Sequence, residues 1–465
     1  MSRETEYAGQ WWLPSDPSKE VPGHLDLDGP FLELTLDSPL LPKRGPEQDF
    51  EVIHGRARGG LELTLLGAHS IRDWPIANWY LVDDAVVGGH LGVADTEFAE
   101  ATVVMDHLAD WVPARGIDIN GSGRGEPGDK ALEVSYTIQA PLEGRLDDGT
   151  EVRLGTSVRT GSAPGSAFGR GITLSYAADV HWKYGTPITA QAIVAQHVAP
   201  FQELVGWATQ RPVTVTAAYL RVDAAQELLT WLRKWRKPSV ASEEIRVGNI
   251  RFFATDLTPT FADGLQRWLD VLKRNSDSVD LMVSLLFSAP RYVDTSLLLV
   301  AQSLEAYHRS TVERDSWPRQ IFKNRTGAVL ERFKDLEDRE LKEWLAQVLE
   351  FAYEPTLMER LKDLHTKVEP VIGDLLALRP QWADELKKMR NRYTHRGKPG
   401  RDYEPRELDE MARFARIIFD VCVMLDIGLP AQLCRERVHG MGDYSFALRD
   451  ARKHGQASAP PHLSK

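Results

Sequence analysis

In the first half of the chain, apolar and polar positions alternate. Leu132, Val134, Tyr136 and Ile138 are separated by Glu133, Ser135 and Thr137, the period of two that marks a half-buried strand. Leu32, Leu34 and Leu36 repeat it, as do Leu61, Leu63 and Leu65, and Ile172, Leu174 and Tyr176. Turn-rich runs divide these segments, among them Asn120-Gly121-Ser122-Gly123-Arg124-Gly125 and Gly161-Ser162-Ala163-Pro164-Gly165-Ser166. Short strands punctuated in this way predict an antiparallel sandwich or barrel-like domain over residues 1–256. Two helices are expected inside it, one over 193–208 and broken at Pro200, the other over 224–236.

From about Leu257 the period lengthens and helices take over. Leu297, Val300, Leu304 and Tyr307 form one apolar stripe. Leu341, Leu345, Val348 and Leu349 form a second, and Leu357, Leu361, Leu364 and Val368 a third. After Pro380, Trp382, Leu386, Met389 and Tyr393 share one helical face. Leu408, Met411, Ala415, Ile418, Cys422 and Leu425 keep a strict three-four spacing on the next helix, and Pro405 suits its first turn. The fold class is therefore α+β. A helical connector over 257–289 leads to an all-α bundle over 290–453, and the aperiodic tail 454–465 is expected to be disordered.

Composition narrows the class without naming a chemistry. With 465 residues, 42% hydrophobic and 26% charged, the chain reads as a globular protein of two or three domains. Its formal charge of −11 argues against nonspecific coating of nucleic acid. Cys422 and Cys434 lie in no metal-ligand spacing and cannot make a disulfide framework, which fits a reducing cytoplasm. The charged N-terminus lacks the apolar core of a signal peptide, and no apolar run approaches membrane-spanning length. A soluble, cytoplasmic protein without membrane contact is expected. No phosphate-loop, zinc-hydrolase or nucleophile-elbow pattern occurs, so no cofactor and no metal are expected. The glycines between 121 and 128 read as loops.

The run Arg390-Asn391-Arg392-Tyr393-Thr394-His395 carries the candidate chemistry. A guanidinium can grip a phosphate with a planar fork of donors, and an imidazole can move the proton of a ribose 2′-hydroxyl. Residues five apart on an intact helix point about 140° away from each other. Gly397, Pro399 and Gly400 follow directly, so the helix should end near Thr394 and let His395 turn back. Lys387, Lys388, Arg392, Arg396, Lys398 and Arg401 crowd around the run, and Lys387, Arg392, Arg396 and Lys398 are the candidate RNA-binding groups. The bland reading is that Arg390 and His395 merely complement a helix dipole. Glu305, on a helix over 293–310, could orient Arg390 or His395, or could be a solvated glutamate on a polar face. His308 reads as an exposed helix residue. Trp231, Arg233, Lys234, Trp235, Arg236 and Lys237 interleave aromatic and basic groups as base-stacking surfaces do, but read more simply as an amphipathic helix with buried tryptophans.

The run Arg390-Asn391-x-x-x-His395 between two amphipathic helices resembles the R-polar-x3–5-H signature of the HEPN superfamily of ribonucleases. Ser303-Leu304-Glu305-Ala306-Tyr307-His308-Arg309 looks like the opening of its ApeA-like branch. Gly9-Gln10-Trp11-Trp12-Leu13-Pro14, Gly23-His24-Leu25, Phe50-Glu51-Val52-Ile53-His54-Gly55 and Leu63-Thr64-Leu65 look like the N-terminal domain that accompanies that branch. The resemblance implies a defence protein acting by abortive infection, and a homodimer whose two motifs form one composite ribonuclease site. Cleavage of host or phage RNA, such as tRNA, would leave 2′,3′-cyclic phosphate and 5′-hydroxyl ends. It also implies that Arg390 holds the scissile phosphate, His395 moves protons and Asn391 bonds the phosphate or the histidine. A phage-encoded trigger would be sensed by the β domain. Two other readings use the same residues: a bundle that binds RNA or nucleotide and dimerises without cleaving, and a ligand-binding sandwich with a helical dimerisation arm.

Overall fold

The computed structural model describes residues 5–41, 49–71, 78–113, 117–120, 133–163, 171–223, 225, 227–235, 245, 247–287, 292–312, 319–334, 338–350, 354–394 and 401–457. They fall into two compact units, Met1–Ile245 with Phe253–Gln266, and Arg246–Phe252 with Arg267–Lys465.

The first unit begins with β1 (Glu6–Trp12), β2 (Val21–Asp26), β3 (Leu32–Leu36), β4 (Phe50–Ala57), β5 (Leu61–Ser70) and β6 (Asn78–Val87). These pair antiparallel in the order β6-β3-β2-β1-β4-β5 and close into a barrel through β5 and β6. The alternating leucines explain the closure. Leu32, Leu34 and Leu36 point inward with Leu63, Leu65, Leu25, Ile53 and Trp11, because successive strand side chains face opposite sides. Gly55 lies opposite Trp11 in the β1–β4 register, and a Cβ there would sit 2.2 Å from the indole ring. Gly9 and Gly23 face each other across β1 and β2, where neighbouring carbonyls leave no room for a side chain. His54 stacks on His90 at 4.7 Å, and their Nε2 atoms bond the carbonyls of Leu91 and Gly55 at 2.8 and 2.9 Å. Burial pushes the His54 imidazole below its ordinary value, favouring the neutral form.

The barrel shares β6 with a second sheet. Residues 78–82 of β6 pair with β3, whereas residues 84–87 pair with β14 (Leu229–Arg233). Between them in the chain lie β7 (Glu97–Met105), α1 (Leu108–Trp111), the β8–β9 ribbon (Ile117–Asn120, Glu133–Tyr136), β10 (Leu142–Arg145), β11 (Glu151–Ala163), β12 (Gly171–Thr189), α2 (Ala190–Ile193), α3 (Ala199–Thr209) and β13 (Val215–Arg221). The sheet order is β10-β11-β12-β7-β13-β14-β6.

Four expectations change here. Residues 229–233 form a strand where a helix over 224–236 was expected. Trp231 is buried, its Nε1 donates to the buried Asp84 at 2.7 Å, and Arg233 pairs with the same carboxylate at 2.6 Å. The segment's alternation is thus a strand's, and its basic and aromatic groups build the sheet rather than a base-stacking surface; Arg236 and Lys237 lie outside the described residues. Pro200 does not break its helix. It stands at the start of α3 after a π turn over Val194–Val198, where a missing N–H is tolerated. Gly161, Ser162 and Ala163 belong to β11, not to a turn. Val134 and Ile138 are exposed and Ile138 lies outside β9, since a two-stranded ribbon has no second layer to bury it.

α4 (Phe261–Phe287) leads into the second unit, which holds α5 (Val293–Thr311), α6 (Arg319–Arg332), α7 (Arg339–Glu350), α8 (Leu357–Leu378), α9 (Trp382–Thr394), α10 (Pro405–Asp426), α11 (Ala431–His439) and α12 (Gly442–Ala457). α10 is its axis. Residues 417–424 are buried without a break, so the helix is covered on all sides by α5, α8, α9, α11 and α12. Asp420 on α10 meets Arg251 at 2.7 Å in the core. Thr356 and Glu359 form a reciprocal cap on α8. Pro370 and a non-helical Ile372 kink that helix, and Arg435 bonds the carbonyls of Pro370 and Val371. Cys422 and Cys434 are free and buried, and burial pushes both thiols up to about 12. The stripes of α5, α8, α9 and α10 are buried as their spacing predicts, but that of Leu341, Leu345, Val348 and Leu349 on α7 is not. α12 continues past His454 to Ala457, so the segment expected to be disordered starts as helix; 458–465 lie outside the described residues.

Replacing Trp231 by Phe keeps the ring and removes the donor to Asp84. The variant is expected to lose roughly 1–3 kcal/mol of stability, measured as an earlier loss of near-ultraviolet circular dichroism in urea. An unchanged midpoint would contradict the role of this bond.

Candidate active site

α9 is described as far as Thr394, whose Oγ1 donates back to the Arg390 carbonyl at 2.8 Å; the glycines and proline expected to end the helix lie outside the described residues. Trp382, Leu386 and Met389 are buried. Trp382 lies parallel to the His365 ring and donates Nε1 to its Nδ1 at 3.1 Å. Anchoring this face sets the rotation of α9. Arg390 is thereby held at the margin of the bundle, about one-third exposed (32%).

Two acceptors meet the Arg390 guanidinium. Nη2 donates to Glu305 Oε2 on α5 at 3.4 Å, and Nη1 donates to Asn391 Oδ1 at 3.3 Å. Both are longer than the 2.7–2.9 Å of a tight charge-assisted bond. The group is oriented without being locked away, and its Nε has no partner among the described residues. Glu305 is therefore not a solvated glutamate on a polar face. Its other oxygen receives Arg309 at 3.5 Å.

Beyond Glu305 the charges continue in a chain that sequence reasoning missed. Arg309 reaches Glu354 at 3.8 Å, and Arg360 on α8 bonds Glu354 at 3.1 Å. Arg360 also donates to His308 Nδ1 at 3.4 Å, and His308 Nε2 meets Asp363 Oδ2 at 2.9 Å. His308 is completely buried rather than exposed. An arginine can only donate, so Nδ1 accepts and Nε2 carries the proton toward Asp363. The signal was the spacing: Glu305, His308 and Arg309 are three and four apart on α5, and Arg360 and Asp363 three apart on α8.

On another side of α5, Tyr307 donates to Asp426 and accepts from Lys367 Nζ at 2.6 Å, and Lys367 meets Asp426 at 2.5 Å. Burial raises the Tyr307 phenol well above its usual range, so it stays protonated. This cluster ties α5, α8 and α10 together.

His395, Arg396 and Lys398 lie outside the described residues. The chain on either side of them is pinned. Arg392 meets Asp402 at 2.6 Å, and the Tyr393 hydroxyl donates to the Tyr403 carbonyl at 3.4 Å. Much of the local basic charge is already paired: Lys388 with Asp384, Arg392 with Asp402 and Arg401 with Glu407. Lys387 is half-buried and has no ion-pair partner among the described residues. No group of three histidine, cysteine or acidic side chains among the described residues could hold a metal ion, and no described helix is long and apolar enough to cross a membrane.

Two family models match the chain. The one described as Apea-like HEPN matches residues 298–433, which take in most of α5 and all of α6 to α10, with Glu305 and Arg390. The one described as ApeA N-terminal domain 1 matches residues 6–268. The chain belongs to the ApeA-like HEPN anti-phage proteins. Neither a curated protein nor a solved structure matches it. In this ApeA-like chain the N-terminal motif residues Gly9, Trp11, Gly23, Gly55, Leu63 and Leu65 build the barrel.

The network and the exposed pair can be separated by stability. Glu305→Ala is expected to cost less than about 1 kcal/mol, because its ion pairs are partly exposed. His308→Ala leaves Arg360 and Asp363 facing a buried gap and is expected to cost roughly 2–3 kcal/mol. Equal thermal shifts in the two variants would remove the distinction.

Proposed function

We propose that this protein is a HEPN endoribonuclease that acts in abortive-infection defence through a composite site in a homodimer. The observation that carries the reading is the Arg390 guanidinium, presented at the end of α9 by loose bonds to Glu305 and Asn391. A structural arginine in this bundle is bound more tightly, as Arg251 is at 2.7 Å and Arg379 at 2.7 Å. A group oriented but incompletely satisfied suits a phosphate that arrives and leaves.

In the proposed reaction a ribose 2′-hydroxyl attacks the adjacent phosphorus. His395 of one protomer takes the 2′ proton as the new P–O bond forms, and an imidazolium returns a proton to the departing 5′-oxygen. The products are a 2′,3′-cyclic phosphate and a 5′-hydroxyl. Arg390 stabilises the charge on the phosphoryl oxygens, Asn391 and Glu305 orient it, and Lys387, Arg392, Arg396 and Lys398 hold the RNA backbone. One motif supplies a single arginine and a single histidine, whereas the reaction needs an acid, a base and charge stabilisation. Two copies around a two-fold axis supply them all. The β-rich unit would sense a phage product and gate the nuclease, in the cytoplasm where host or phage RNA, tRNA included, is at hand.

Arg390→Ala and His395→Ala are each expected to abolish toxicity and defence, with cleavage slowed about 10²–10⁴-fold in the histidine variant. RNA cut by the wild type in excess chelator is expected to carry cyclic-phosphate and 5′-hydroxyl ends, because arginine and histidine fill the roles a metal ion would otherwise take. Products with 5′-phosphates would point to a metal-dependent nuclease instead, full activity in either folded variant would overturn the composite site, and RNA binding with no cleavage would favour a bundle that binds without cutting. Mixing Arg390→Ala chains with His395→Ala chains is expected to recover part of the activity. Cleavage by a strictly monomeric protein would eliminate the composite site.

A further inference from the structure

The sheet that continues from the barrel buries one face through Val152, Leu154, Val180 and Trp182. Its other face carries the charge, because successive strand side chains point to opposite sides. Across that face the register of β10, β11, β12, β7 and β13 aligns Arg145, Glu151, Lys183, Glu100 and Arg221 in one row. Glu143, Arg153, His181 and Thr102 form the next. Arginines take both carboxylates of the first row: Arg145 meets Glu151 at 2.6 Å, and Arg221 meets the buried Glu100 at 2.8 Å. Lys183 stands between those two carboxylates and has no ion-pair partner among the described residues. Arg153 has none either, although Glu143 lies opposite it in the register. His181 Nδ1 shares a hydrogen bond with the Thr102 hydroxyl at 2.9 Å, and its Nε2 is 4.0 Å from Glu100, beyond hydrogen-bond reach.

These groups line a cleft of about 420 Å³, within the size range of small-molecule sites. Its charged lining is Arg145, Arg153 and Lys183 against Glu143 and Glu151, a positive excess in a chain of net charge −11. The hairpin that forms it is held in place. Gly144 on β10 lies so close to the start of α4 that a Cβ there would meet the Ala262 Cβ at 2.4 Å. The Asp147 N–H donates to Gln266 Oε1 at 3.0 Å, and the Thr150 N–H to Asp148 Oδ1 at 2.8 Å. A strand pair fixed in this way has little left to order when something binds.

We propose that this cleft binds a small phosphate monoester linked to a sugar. Arg153 and Lys183 meet the phosphate, the first with a planar fork of donors and the second as a point charge. Glu143, whose carboxylate is not ion-paired among the described residues, accepts from a sugar hydroxyl. Burial keeps the His181 imidazole neutral, so it adds a polar contact on the floor instead of a third cation. A bare phosphate would leave most of the cleft to water. A continuous nucleic-acid backbone would bring further phosphates against Glu143 and Glu151, which repel them. The site lies within the first unit, and its occupancy does not rest on the ribonuclease reading.

Isothermal titration calorimetry on the full-length chain tests the proposal, with ribose 5-phosphate, AMP, ribose, adenosine and inorganic phosphate as probes. At least one of the two esters is expected to bind with a dissociation constant below about 1 mM. Tighter binding of AMP identifies a nucleotide, and tighter binding of ribose 5-phosphate a sugar phosphate. Ribose, adenosine and inorganic phosphate are expected to bind at least about tenfold more weakly than that ester, since each lacks one half of it. Arg153→Ala with Lys183→Ala is expected to weaken the ester at least about tenfold with unchanged far-ultraviolet circular dichroism, both side chains being exposed. Arg56→Ala with Arg58→Ala removes the same charge from the barrel and is expected to leave binding unchanged. Failure of both esters to bind would overturn the inference, as would inorganic phosphate or adenosine binding as tightly as the ester. Equal losses in the two double variants would reduce the attraction to general charge and overturn it as well.

Discussion

A helical segment that is buried on every side can be stable only as the axis of its domain, and α10 between Ile417 and Met424 is such a segment. From Ile417 to Met424 its buried face makes a full turn and more. Covering it requires partners on all sides, and α5, α8 and α9 are three of them. Their apolar stripes fix how each is rotated about its own axis. Leu304 and Tyr307 face inward on α5, which turns Glu305 toward the margin; Leu386 and Met389 face inward on α9, which does the same for Arg390. The contact between Arg390 and Glu305 therefore follows from the packing of hydrophobic neighbours one residue away in each helix.

Partial satisfaction of that contact has a chemical meaning. Breaking a buried ion pair typically costs about 3–5 kcal/mol, whereas exposed pairs contribute about 1 kcal/mol or less. The second unit contains both kinds. Arg251 and Asp420 are enclosed at 2.7 Å, and His308 is enclosed between Asp363 and Arg360. Arg390 and Glu305 are one-third and one-quarter exposed at 3.4 Å. The enclosed groups position the helices, and the loose pair at the margin is the one left open to solvent. The sequence of pairs from Arg390 through Glu305, Arg309 and Glu354 to Arg360 makes the loose pair continuous with the enclosed ones.

The first unit depends on a different constraint, the sharing of β6. A barrel has no free edge, which removes the hazard of unpaired strand groups but leaves nothing to build on. β6 escapes this by being longer than the strand it pairs with on one side. Beyond residue 82 its edge is released by β3 and taken by β14. The junction is marked by the buried Asp84, whose carboxyl burial pushes up while Arg233 and Trp231 oppose that shift. One polar group joins the end of the barrel to the start of the open sheet.

Local information was sufficient wherever a segment's own period matched its final surroundings. Leu32 to Leu36, the stripe of α9, and the α10 pattern with Pro405 at its start are all legible in the sequence, because one face of each meets one core. So is the contact of Arg390 with Asn391, since the two adjoin in the chain. Tertiary structure decided the rest. Residues 229–233 read as part of a helix until Asp84, 147 positions away, supplies a partner for both Trp231 and Arg233. His308 looked like a surface residue because its carboxylate and guanidinium partners come from α8. The α7 stripe has the spacing of a core helix, and the chain's own fold leaves it uncovered. A residue's period states which face it occupies; what that face meets depends on segments far away in the chain, and no local pattern contains that.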